Sequence, residues 1–166
     1  MQKFLLIFII AGLIIGCGSK TDEDIYNEAK SKYDQGNYAE TLQKYEELIK
    51  EFPDTKYRAE ALFEIGKLYH GQVVKSLTSE QNYNKAIDYY SKVYTEFPDS
   101  SQAPNSLFMI GFLKANELQQ LDSARYYYSL FIEKYPENEM AVSAKAEIEN
   151  LGIPAEEILK KKTTKE

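Results

Sequence analysis

Tryptophan is absent from this chain of 166 residues, and cysteine and histidine each occur once. A single cysteine leaves no partner for an intrachain disulfide. A single histidine, His70, excludes a histidine-rich metal site and makes any catalytic triad depend on that one residue. Neither a phosphate-cradling glycine loop nor a zinc-protease helix motif is present. Five prolines and eight glycines are too few for a long disordered tract or a turn-dense β-sandwich. The charge balance is negative, 20 basic against 26 acidic residues for a net −6. Nucleic acid and anionic lipid headgroups both require a basic face, so neither is an expected ligand of the domain body. One long apolar run occurs, residues 4–15, and it is shorter than the ~20 residues a spanning helix requires.

That run follows Lys3 and suits the core of a signal peptide. It ends at Ile14-Ile15-Gly16-Cys17, followed by Gly18-Ser19-Lys20, which resembles the bacterial lipobox. The resemblance implies cleavage before Cys17, a diacylglycerol thioether on Cys17 and acylation of the new amino terminus. The alternative is an uncleaved signal anchor with an inert cysteine, but a lone exposed thiol is a liability in an oxidising compartment. Several acyl chains, at roughly 0.8 kcal/mol per buried methylene, make a stable anchor where one is marginal. Residues 1–16 are therefore expected to be a signal peptide, and 17–21 a lipidated tether.

The remainder repeats. Phe52-Pro53-Asp54, Phe97-Pro98-Asp99 and Tyr135-Pro136-Glu137 end three segments alike, and a tyrosine stands eight residues before each proline: Tyr45, Tyr90 and Tyr128. Four residues earlier come Thr41, Ala86 and Ala124, and three before those Tyr38, Tyr83 and Leu121. Apolar residues in these segments recur at three and four, which predicts amphipathic helices. Each proline then stops the helix, because it lacks an amide hydrogen and disfavours α geometry in the residue before it. Partner helices lie between. Leu62-x-x-Ile65-Gly66 and Leu107-x-x-Ile110-Gly111 match, each leucine nine residues after a proline. A glycine inside a helix costs about 1 kcal/mol, so Gly66 and Gly111 are expected where a neighbouring helix comes close; Ala29 takes that place in the first repeat.

Leu62, Ile65, Gly66, Tyr69, Ala86, Tyr90 and Pro98 resemble the tetratricopeptide repeat. The resemblance implies an all-α fold, a right-handed superhelical stack of about three helical hairpins with a C-terminal capping helix. The repeats are expected over about 22–54, 55–99 and 100–137, with the cap at 138–151 completing a domain of 22–151. Residues 152–166 would form a short helix from Pro154 and a basic tail. Pro53 and Pro98 are 45 residues apart, against about 34 for the family. The excess falls in residues 71–82, which predicts a lengthened loop there, with Thr78-x-x-Gln81 as a capping box for the next helix.

Register with the family implies that Glu23, Tyr26, Lys30, Tyr33 and Asp34 face a groove. Glu60, Phe63, Lys67, His70 and Gly71 follow in the second repeat, and Asn105, Phe108, Phe112, Ala115 and Asn116 in the third. Rigid aromatics at such positions make good anchors. The expected site takes a peptide segment on Tyr26, Tyr33, Phe63, Phe108 and Phe112, with Lys30 and Lys67 holding carboxylates or carbonyls. His70, Asn105 and Asn116 complete it. The competing expectation is that Phe63, Phe108 and Phe112 pack against the adjacent repeat. Lys30, Lys67, Asn105 and Asn116 do not complete the family's carboxylate-clamp pattern.

No enzyme, cofactor or metal is expected. The Pro-ended segments, Ala103-Pro104 and the lipobox together look like the BamD-like outer-membrane assembly lipoproteins and the repeat domain of the Tol-Pal-associated cell-division coordinator. Both resemblances imply protein partners in the cell envelope, lipid anchoring through Cys17 and placement at the periplasmic face of the outer membrane. The alternative is a lipoprotein that captures a glycan or nutrient in the groove.

Overall fold

The computed structural model describes residues 20–154, 156 and 157, and every regular element among them is a helix. Cys17 and the expected signal peptide, most of the tether and the basic tail lie outside the described residues, as does most of the short helix expected from Pro154. The helices are α1 (Asp22–Asp34), α2 (Tyr38–Glu51), α3 (Arg58–His70), α4 (Ser79–Glu96), α5 (Gln102–Phe112), α6 (Leu121–Lys134) and α7 (Met140–Asn150). Each packs on the next in the chain, giving the hairpins α1–α2, α3–α4 and α5–α6, with α7 laid on α6. Among the described residues no helix is long and apolar enough to cross a membrane.

The repeated proline acts through its predecessor. Phe52, Phe97 and Tyr135 adopt nearly one conformation, φ −126° and ψ 72°, −132° and 56°, −131° and 56°, away from α as the following ring demands. Their carbonyls then accept from Thr55, Ser100 and Asn138 in three matching turns, at 3.1, 3.0 and 3.1 Å. These turns launch α3, α5 and α7 in the same way.

Inside each hairpin an aromatic ring fills the crossing. Tyr45, Tyr90 and Tyr128 are buried, and each meets an aromatic residue of the preceding helix: Tyr26 at 6.3 Å, Phe63 at 5.6 Å and Phe108 at 5.3 Å between ring centres. Gly66 and Gly111 face two of these rings at a distance that admits no side chain. The stripe of Ile25, Leu48, Ile65, Ile110 and Leu113 is fully buried. Burial of one such side chain contributes roughly 1.5–3 kcal/mol, so single hairpins depend on their neighbours. Ala141 and Ala144 of α7 cover the last apolar surface beside Tyr128 and Phe131.

Three local details differ from expectation. The lengthened loop is shorter than residues 71–82: it ends at Thr78, whose hydroxyl accepts from the Gln81 amide while the Gln81 side chain accepts from the Thr78 amide. That capping box starts α4 at Ser79, and the inserted residues are shared between loop and helix, making α4 18 residues long against 14 for α2 and α6. The helix α7 is trimmed at both ends relative to 138–151. The Asn138 side chain accepts from the Met140 amide at 2.9 Å, holding Asn138 outside the helix, and Leu151 leaves it at ψ 121° before Gly152 at φ +78°. Finally, α5 widens into a π-helical turn, Leu113–Glu117, closed by the Leu118 amide donating to the Leu113 carbonyl at 3.0 Å.

Candidate functional site

The first helices of the three hairpins, α1, α3 and α5, lie side by side. On α3, Phe63, Lys67 and His70 fall at i, i+4 and i+7 and so share one face. Lys67 is its centre. Its ammonium donates to both carboxylate oxygens of Glu64, at 2.9 and 2.8 Å, and lies 5.5 Å from the Tyr33 ring centre and 5.9 Å from that of Phe63. Three hollows meet there. One of about 510 Å³ is walled by Phe63, Lys67, His70, Gly71, Tyr90 and Met109. A second, about 240 Å³, is walled by Lys30, Tyr33, Asp34, Tyr45, Glu60, Glu64 and Lys67. The third, about 190 Å³, lies between Tyr33, Tyr38, Lys67, Leu68, Gly71 and Val73. Together they make a branched groove that crosses α1, α3 and the start of the long loop.

Its chemistry divides sharply. The largest hollow has apolar walls, with the half-buried His70 ring 6.2 Å from Tyr83 and 6.0 Å from Phe112. Burial pulls the His70 pKa down, opposed in part by the Glu117 carboxylate. The second hollow is polar and carries three carboxylates against two ammonium groups. At its edge the Tyr26 hydroxyl donates to Glu60 at 2.5 Å. Burial, reinforced by Glu60, pushes the Tyr26 hydroxyl pKa up. Such a surface offers polar and apolar contacts side by side. His70 thus lies between two aromatic rings, with the Glu117 carboxylate near enough to act on it.

The structure brings together five of the ten residues of the expected site, Lys30, Tyr33, Phe63, Lys67 and His70, along with Asp34, Glu60 and Gly71 from the groove register. The other five need correction. Tyr26 is only 8% exposed, because Tyr57 stacks on it at 4.0 Å and Glu60 holds its hydroxyl, so it is a core residue and not an anchor. Phe108 turns inward between Tyr128 and Phe131, 5.3 and 5.7 Å away, packing in its own hairpin and not against the adjacent repeat. Phe112 does reach across repeats, to His70. Asn105 is exposed and walls none of the three hollows. Asn116 donates to the Phe112 carbonyl at 3.2 Å and faces a separate hollow of about 420 Å³ beside Gly152. Nor is Lys67 a spare cation for a partner's carboxylate, since Glu64 already engages it.

Residues that the sequence did not single out for the groove also matter. Glu64 neutralises Lys67, Met109 closes the apolar hollow from α5, and Tyr38 and Val73 wall the third hollow. Glu64 stands three residues before Lys67, a helical ion-pair spacing that was available to read. Met109 and Val73 carry no such signal.

The tetratricopeptide-repeat family model matches the chain three times, at residues 25–55, 60–100 and 105–138, more than half of its length. No curated protein matches the chain.

Proposed function

The chain belongs to the tetratricopeptide-repeat family, and from that premise we propose that it is a lipid-anchored scaffold of the bacterial cell envelope that grips a segment of a partner protein along α1, α3 and α5. The observation that carries the binding role is the convergence of three hollows on Lys67, two of which also share Gly71. Half-buried aromatic and long side chains wall them, the composition from which interface anchors are built. The repeat family is a scaffold for protein–protein interaction, and this groove is where such a contact fits. The lipid anchor and the envelope location rest on the lipobox at residues 14–17. The resemblance to outer-membrane assembly and Tol-Pal-associated lipoproteins favours a partner at the outer membrane, in barrel assembly or in envelope coordination during division.

Gly71 supplies the test of the groove. It has a helical φ of −71°, and a Cβ there meets only the carbonyls of Lys67 and Leu68, at 3.4 and 3.6 Å. A Gly71→Trp chain therefore keeps its backbone while filling the junction of the hollows. Affinity capture from solubilised envelopes with both chains should recover envelope proteins on the wild type that the variant loses, at unchanged melting temperature. Equal recovery would show that partners bind elsewhere. Separately, Cys17→Ser should release the protein from the membrane fraction and abolish labelling by a fatty-acid probe; a variant that stays labelled disproves the anchor.

A further inference from the structure

The groove is charge-inverted relative to one that grips a carboxylate. Lys67 is already paired with both oxygens of Glu64. What remains in the polar hollow is Lys30 against Asp34 and Glu60, so an incoming carboxylate meets a net repulsion. A cation there finds the opposite: two carboxylates and the ring of Tyr33, which is 37% exposed and already accepts one ammonium at 5.5 Å. The apolar hollow opens directly beside it, since Lys67 walls both. Tyr90, another of its walls, is fully buried, and its hydroxyl has no hydrogen-bond partner among the described residues. The chain as a whole carries net charge −6, which steers a basic partner inward.

We infer that the segment this groove accepts presents a basic side chain next to a large apolar one. Its lysine or arginine enters between α1 and α3 toward Asp34 and Glu60. The apolar side chain fills the hollow formed by Phe63, Tyr90 and Met109. The two hollows adjoin, so the two side chains stand about two to four residues apart, in an extended or a helical segment. This inference rests on the groove being the binding site, as proposed above.

Selection of random 12-residue peptides displayed on phage against the immobilised full chain in detergent tests it. Enriched peptides should share Lys or Arg within about four residues of Phe, Leu, Ile or Met. The probe for affinity is then the most enriched peptide, synthesised with a fluorophore. An Asp34→Asn, Glu60→Gln double variant keeps an acceptor for the Tyr26 hydroxyl and should weaken that peptide by about tenfold or more, the scale of a lost charge-assisted bond. Gly71→Trp should abolish binding. Peptides that Gly71→Trp blocks but that carry no basic residue, or that ignore the double variant, would overturn the charge assignment and leave the groove standing. Failure to enrich any peptide, or enrichment that Gly71→Trp does not touch, overturns both.

Discussion

Tyr90 occupies the space that a side chain on Gly66 would need. A Cβ built on Gly66 meets the Tyr90 ring at 2.6 Å (Cε1) and 2.8 Å (Cδ1), and Gly111 meets Tyr128 at 2.9 Å in the next hairpin. Each glycine therefore exchanges helix propensity for close approach, and the rings it admits are fully buried and unable to swing away.

Gly66→Ala should consequently destabilise the fold although it improves the helix. Overpacking costs about 1–3 kcal/mol, and the gain in propensity returns only ~1 kcal/mol. Gly111→Ala should behave alike with a smaller loss. Urea denaturation reads both, and a raised midpoint for Gly66→Ala would contradict the packing. In the first hairpin, where alanine already stands, Ala29→Gly should destabilise instead.

The two kinds of buried tyrosine hydroxyl predict opposite responses to phenylalanine. The hydroxyls of Tyr90 and Tyr128 have no partner among the described residues, so Tyr90→Phe and Tyr128→Phe remove a desolvated polar atom and should leave stability equal or higher. Tyr26 donates to a carboxylate, and Tyr26→Phe should cost about 1.5–3 kcal/mol. The test is the order of the three midpoints; a Tyr90→Phe loss matching that of Tyr26→Phe would refute the distinction.

Much of this architecture was legible because it is local. Proline positions, three-and-four periodicity and the Thr78-x-x-Gln81 box act within one or two helical turns, and so gave the hairpins, their ends and the inserted loop. The groove was legible only in part. Lys30, Tyr33, Phe63, Lys67 and His70 follow from register with the repeat family. Tyr26 was misread because Tyr57, which covers it, lies in the irregular turn before α3, and no periodicity predicts a cover from such a turn. Phe108 was misread because register with the family does not show that a second ring of α6, Phe131, joins Tyr128 in taking it up. The π-helical turn, in which Leu113 and Ala115 are buried, had no signal at all.

Gln72 ties the start of the long loop to Tyr83 and Ser79 of α4, and Asn82 holds its end. Asn82 is buried, and its amide nitrogen donates to the carbonyls of Val74, Leu77 and Thr78 at 3.1, 3.4 and 3.1 Å. Asn82→Ala should strand the Leu77 carbonyl, since those of Val74 and Thr78 keep backbone donors in Leu77 and residue 82, and Asn82→Asp should do worse by placing a carboxylate among three carbonyl oxygens. Leaving a buried group unsatisfied costs about 1–3 kcal/mol. Proteolysis confined to residues 71–78 should accelerate in the order wild type, Ala, Asp. Equal rates for all three would mean that the loop is held elsewhere.

Protonation of His70 gives the last expectation, and its sign follows from burial. Its pKa in the fold is lowered from the ordinary 6.5 by desolvation, with Glu117 pulling the other way, and the rings of Tyr83 and Phe112 lie about 6 Å away. The unfolded chain then binds the proton first as pH falls below 6.5, so the His70 contribution is complete above that value and declines beneath it. Carboxylates act lower. Asp24, held down chiefly by hydrogen bonding to Thr21, and Glu28, held down chiefly by Lys20, titrate below 3.8 and 4.5. Between about pH 6.5 and 5 the loss of stability should therefore belong mainly to His70. His70→Gln, neutral throughout, should flatten the denaturation midpoint across that window while leaving the steeper acid limb below pH 4.5 in place. A variant whose midpoint still falls as the wild type's does from pH 6.5 to 5 would assign the loss to another group.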